Sequence, residues 1–169
     1  MKNSFLIFIL ALLICGCSKE IPRFDKIIYK TTGCFGTCPT YYLEISSDKT
    51  IKLFAETVFK KETSIFDFKL DSTKMGYFKG QLDDHTFYKL NENVKKISGP
   101  DYKYYRDDIA RDTPTVTLMI QRGGDKTCYE TFNPTMEFQT DIVDFLNEIC
   151  SAKLEKSDAF KTDNRFDCL

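Results

Sequence analysis

Apolar and polar residues alternate with a period of two over several short stretches, the pattern of half-buried β-strands. Residues 26–31 form a β-branched and aromatic run. Residues 40–45 put Tyr41, Leu43 and Ile45 on one face, and after the polar turn at 46–49 residues 50–57 alternate again with Ile51, Leu53 and Ala55. Residues 64–70 place Phe66, Phe68 and Leu70 on one side and read as a further strand. The period then changes. Asp71 or Ser72 is a candidate N-cap for a helix whose Met75, Phe78 and Leu82 stand three and four apart. Phe87, Tyr88 and Leu90 are expected to continue into the core, while residues 91–114, with Gly99-Pro100 and a mixture of Tyr and Asp, read mainly as a long loop.

A hairpin follows. Residues 115–121 and 126–132 flank Gly123-Gly124, a pair suited to a two-residue turn with positive φ. Pairing through that turn sets Leu118 opposite Tyr129 and Met119 opposite Cys128, and opposed residues share a face. Val116, Leu118, Ile120 and Tyr129 then belong to the core, with Cys128 on the other, more polar face. Asn133 is the expected N-cap of a last helix, with Pro134 in its first turn. Phe138, Ile142, Phe145 and Ile149 form its apolar stripe, widened by Val143 and Leu146. The tail beyond Cys150 is charged and is expected to be loosely held. These elements predict one small α+β domain, an antiparallel sheet with two helices packed on one face.

The N-terminus has a different grammar. Lys2 precedes an unbroken apolar run over residues 5–14. A membrane-spanning helix needs roughly 20 apolar residues, so the run matches the hydrophobic region of a secretory signal instead. Ile14-Cys15-Gly16-Cys17 resembles a lipobox, the cleavage site after which a cysteine thiol takes a diacylglycerol and becomes the new N-terminus. The plainer alternative is an ordinary cleaved signal in which Cys17 is incidental. The chain divides accordingly into a leader (1–16), a lipidated tether (17–24), the α+β domain (25–150) and a charged tail (151–169). Two or three acyl chains anchor firmly where one is marginal. Ser18 after the cysteine resembles outer-membrane sorting, which places the protein in the cell envelope on either side of that membrane.

Charge and composition narrow the partners. Without the leader the chain keeps 23 Lys and Arg against 25 Asp and Glu, the difference from the full count being Lys2. That balance, with no long basic run, argues against nucleic acid. It also gives no polybasic stretch for anionic lipid, so membrane contact is expected through the anchor. Fifteen Phe and nine Tyr suit a β-rich domain rather than a disordered one.

One segment carries a signature: Gly33-Cys34-Phe35-Gly36-Thr37-Cys38-Pro39-Thr40-Tyr41. The pattern Cys-x-Gly-x-Cys-Pro-x-Tyr, leading into an alternating strand, resembles a domain found in lipoproteins, domain of unknown function 6438. A looser likeness extends to Asp112 and Pro114 before a strand, the hairpin and the closing amphipathic helix, over about residues 24–150. The resemblance implies a fold and an extracytoplasmic setting, and no activity. In an oxidising compartment cysteines are read first as disulfide partners. Gly36 can adopt positive φ and let a three-residue loop turn back so that Cys34 and Cys38 approach. Pro39 fixes φ and removes an N–H where the strand begins. The plain reading is a structural disulfide. The pairing of Cys128, Cys150 and Cys168 stays open.

A sharper alternative is thiol or copper chemistry. Cys-x-x-x-Cys-Pro resembles the copper-binding segment of Sco-type copper chaperones, and His85, the only histidine, can complete a Cys34, Cys38, His85 set for Cu(I). Against it, the cysteines of thioredoxin-like proteins open a helix, whereas Tyr41, Leu43 and Ile45 alternate as a strand. A single histidine without a partnered Ser or Cys gives no catalytic triad, and no phosphate loop or zinc helix is present. The acidic residues of 101–112 lack the spacing of a calcium loop. The expectation is a module without catalysis, cofactor or resident metal. It would meet an envelope protein through Tyr102, Tyr104 and Tyr105, a residue type enriched at interfaces.

Overall fold

Three strands form where the alternation begins: β1 (Lys26–Thr31), β2 (Thr40–Ser46) and β3 (Thr50–Thr57). The computed structural model describes residues 23–34, 36–60, 68–100, 102, 113–132 and 135–162. Register puts Tyr29 opposite Leu43, and Leu43 opposite Leu53, on the inner face. The β2–β3 turn is closed by Lys49 N–H to the Ser46 carbonyl (2.9 Å). Asp48 helps by accepting from Thr50 N–H (2.9 Å).

The helix expected from Asp71 or Ser72 to Leu82 is a correction. Ser72–Lys74 makes a single 3₁₀ turn, and Gly76–Gln81 is a strand, β4, paired antiparallel to β3. Gly76 and Gly80 disfavour a helix interior, Gly76 takes a φ of 115°, and β3 would otherwise present an unpaired edge. The helix comes later. Asp83 caps α1 (Asp84–Ile97) by accepting from Thr86 N–H (2.9 Å). Its buried stripe is Phe87, Leu90, Asn91, Val94 and Ile97, so residues 91–97, expected in a loop, are helical. Tyr88 faces solvent instead of the core.

β5 (Val116–Arg122) and β6 (Asp125–Thr131) form the hairpin in the expected register, with Leu118 opposite Tyr129 and Met119 opposite Cys128. Gly123 supplies the positive φ of the turn, at 58°. The closing helix, α2, starts with one turn at Met136–Phe138 and widens to π-helical geometry over Gln139–Val143. It then runs on as α-helix through Asp144–Ser151. Thr135 caps it, accepting from Phe138 N–H (3.2 Å); Asn133 and Pro134 lie outside the described residues. The tail is held more firmly than its charge suggests. Glu155–Lys156 (β7) pairs with β4, and Phe160 packs on the sheet.

The sheet is antiparallel throughout, in the order β6-β5-β1-β2-β3-β4-β7. Both helices cover one face, where Ile27, Tyr29, Leu43, Ile45, Leu53 and Leu118 meet Leu90, Val94, Phe138, Ile142 and Leu146. On the other face Ile28, Tyr42 and Met119 are also buried, beneath Phe160. Glu44 joins them as the centre of an ion triad with Lys26 (3.4 Å) and Lys52 (3.0 Å).

Strand lengths of six to eight residues separate the two ends of the sheet by roughly 20 Å. Lys49 pairs with Asp84, placing the start of α1 at the β2–β3 turn. Arg122 donates to Ser98 Oγ (2.9 Å), placing the end of α1 at the β5–β6 turn. α1 therefore lies across the strands along one end, where residues 23–25 also lead into β1. The β1–β2 loop, the last residues of β3 and β6 and the first of β5 occupy the other end.

Candidate functional site

The β1–β2 loop is built at its base by one threonine. Thr31 Oγ1 donates to the Pro39 carbonyl (2.8 Å) and accepts from Tyr41 N–H (3.0 Å). A register shift at Thr40/Tyr41 loosens the ladder at that point. Above this base Cys34 and Cys38 are joined in a disulfide with their Cα atoms 5.5 Å apart. Gly36 turns the chain back with a φ of 145°. Both cysteines are half-buried. Thr32 ties the loop sideways to the start of β5: its N–H donates to the Thr115 carbonyl (3.0 Å) and its Oγ1 accepts from Thr115 N–H (2.9 Å). The loop is thus clamped on both sides by hydrogen bonds through Thr31 and Thr32.

Among the described residues, most of the exposed large apolar side chains share this end. Phe132 and Met136 (73% exposed) follow β6. Phe68 and Leu70 belong to the arm that extends β3, where Phe59 bridges Leu70. Strand spacing of about 4.8 Å spreads these groups over roughly 20 Å, so they form a rim around the disulfide loop rather than one patch. Phe68 and Leu70 were expected on one side of a strand over residues 64–70; Leu70 forms a single bridge with Phe59, both side chains are exposed, and Phe66 lies outside the described residues.

His85 is the second residue of α1, at the opposite end of the sheet from Cys34 and Cys38. The structure does not bring the three together, and the disulfide occupies both thiols. Among the described residues no group of three or more His, Cys, Asp or Glu side chains is arranged to hold a metal ion.

Tyr102 is half-buried, not free. Its phenol donates to Asp141 Oδ2 (2.6 Å), whose other oxygen accepts from Lys96 Nζ (2.7 Å), and its ring lies 6.3 Å from that of Phe138. Burial and the neighbouring Asp141 carboxylate push the phenol well above its usual range. Tyr104, Tyr105 and the acidic residues of 103–112 lie outside the described residues, as do Cys17 and Cys168. Thr113, where the described chain resumes, donates to the Phe132 carbonyl.

The other cysteines separate cleanly. Cys150 is free and buried, and burial pushes its thiol far above the reactive range. Cys128 is half-buried beside the outer-face cluster and forms a disulfide whose second cysteine lies outside the described residues. Sequence pattern alone did not show that Cys128 was paired.

The model of the domain of unknown function DUF6438 matches residues 25–150. The chain belongs to that family. The match takes in every strand but β7, and all but the last residue of α2. No curated protein matches the chain. In this DUF6438 domain the cysteine loop, the start of β5 and the end of β6 make one clamped end. No described helix is long and apolar enough to cross a membrane.

Proposed function

We propose that the protein is a lipid-anchored module of the cell envelope that binds a partner protein and catalyses nothing. Its anchor is a diacylglycerol on Cys17, and its binding face is the end that carries the Cys34–Cys38 loop. The observation that supports this most is the division of labour between the two ends of the sheet. The tether leads into β1 at one end, while the disulfide loop, Phe132, Met136, Phe68 and Leu70 stand at the other. A protein held by its N-terminus would present that second end away from the membrane. Side chains such as these are enriched in interface cores, and a stapled loop loses little entropy when a partner docks.

Two experiments test the two halves. Cells expressing the protein and fed labelled palmitate should label the wild type and not Cys17→Ser; equal labelling of both sinks the anchor. For the face, a photo-crosslinking residue at Met136, Tyr104 or Tyr105 should capture one recurring envelope protein, while the same residue at Tyr88, on the exposed side of α1, should not. Identical capture at all four positions sinks the binding face. A thiol or Cu(I)-handling role for Cys34 and Cys38 remains the second reading. It needs the pair reduced, and then predicts about one equivalent of Cu(I) taken up by wild type and none by Cys34→Ser.

A further inference from the structure

Charges distant in sequence converge at the tether end. A cavity of about 470 Å³ opens there, lined by Arg23 and Asp25 before β1, Lys95 and Ser98 at the end of α1, and Arg122 in the β5–β6 hairpin, with Phe24 beneath. Its walls are fixed by hydrogen bonds rather than by chance placement. The Arg23 N–H donates to Asn91 Oδ1 (2.9 Å), pinning the incoming chain to α1. Arg122 donates from Nε to the Arg23 carbonyl and from Nη2 to Ser98 Oγ. The Asp25 carboxylate accepts from Gly123 N–H.

The charge here is not balanced. Among the described residues Asp25 is the only carboxylate lining the cavity, and it is engaged by a backbone N–H. Arg23 has a long contact with Glu92 (3.8 Å). Neither Lys95 nor Arg122 has a carboxylate partner among the described residues. α1 ends here, and its carbonyl end offsets about half a unit of positive charge. Two cations still face one opening; Arg122 Nε and Nη2 are engaged in the wall, which leaves Nη1 of the guanidinium to meet a phosphate oxygen.

Position supplies the ligand. Under the lipoprotein reading, on which this inference rests, Arg23 lies six residues beyond the acylated Cys17. An extended chain covers at most ~3.6 Å per residue, so the cavity lies within about 20 Å of the lipid's sulfur and can touch the headgroup layer. We infer that this cavity takes the phosphate of an anionic lipid headgroup, and so fixes how the domain stands on its membrane. Lys95, Arg122 and Arg23 are the contacts. A sheet end docked in this way leaves the disulfide loop pointing outward.

The test uses the acyl-free chain, residues 18–169, which keeps every described residue, with vesicles of phosphatidylcholine alone or mixed with phosphatidylglycerol. Wild type should sediment with the mixed vesicles and far less with phosphatidylcholine. Lys95→Gln combined with Arg122→Gln should weaken that binding about thirtyfold, at roughly one decade or less per cation near a charged surface. Lys89→Gln combined with Lys153→Gln removes the same charge away from the cavity and should cost less than about threefold. Lys95→Gln alone, at an exposed side chain without an ion pair, should still lose about fivefold if the Arg122 change disturbs folding. Equal losses in the two double variants, or no preference for mixed vesicles, would overturn the proposal. Calorimetric binding of inorganic phosphate without any vesicle preference would overturn it too, leaving a free-phosphate site. The palmitate label reports on the anchor by itself, so failure here and failure of the lipoprotein reading are distinguishable.

Discussion

Asn91 sits fully buried in the stripe of α1 that faces the sheet, and its amide is used on both sides. Nδ2 donates to the Phe87 carbonyl (3.2 Å) and Oδ1 accepts from Arg23 N–H (2.9 Å). Asn91→Leu keeps the branched side-chain shape but strands the Arg23 donor, so chemical denaturation should show a loss of about 1–3 kcal/mol. A second residue-scale prediction concerns acid. Burial alone would raise the Asp141 carboxyl, but hydrogen bonds from Lys96 and Tyr102, with the Lys96 charge, outweigh it and hold the group below its usual range. A depressed folded value stabilises the fold above the unfolded carboxylate value, about 3.9, and the contribution is lost as pH falls through the folded value. Wild type should therefore lose thermal stability more steeply than Asp141→Asn below about pH 4. Parallel melting curves for the two would contradict the Lys96–Asp141–Tyr102 contact.

At the scale of elements, the Cys34–Cys38 bond closes a loop of sequence separation 4, for which chain entropy gives about 2 kcal/mol. Cys34→Ala with Cys38→Ala should lower stability by about that much in denaturant titrations while the far-ultraviolet spectrum stays intact, because the Thr31 and Thr32 hydrogen bonds remain. Leu90→Ala, which empties a fully buried position between α1 and the sheet, should cost more, about 2–5 kcal/mol. How far these elements were readable follows from which faces are wet. β2, β3 and the β5–β6 hairpin bury one face against helices, so their alternation is legible, and the Gly123-Gly124 turn gave the hairpin its register. β4 misled because Met75, Phe78 and Leu82 mimic a helical period, while only Phe78 points inward from the strand itself. α1 was cut short because its stripe contains Asn91, a polar residue that reads as loop until its two hydrogen bonds are seen. β7 has two residues and no pattern to read. The disulfide loop was legible because its cysteines are neighbours in sequence. The basic cavity was not, since Arg23, Lys95 and Arg122 come together only when α1 crosses the strand ends.

For the whole molecule, the two ends of the sheet face different surroundings, and the cysteines follow that division. If Cys15 leaves with the leader and Cys17 carries lipid, Cys168 is the cysteine left for Cys128. β7 on the β4 edge and Phe160, which packs against the same outer-face cluster as Cys128, already start the tail across the outer face. Mass mapping without reduction should recover one peptide joining Cys128 to Cys168, whereas a free thiol at Cys168 would contradict the proposed processing. On the proposed binding face Cys34–Cys38 acts as a staple and not as a working thiol pair. The direct measurement is the reduction potential of that pair in the folded chain, equilibrated in thiol redox buffers and read by peptide mapping. A structural staple gives a value below about −300 mV. A value between about −120 and −230 mV, where thiol oxidoreductases operate, would contradict the binding-module account and put redox or copper chemistry in its place.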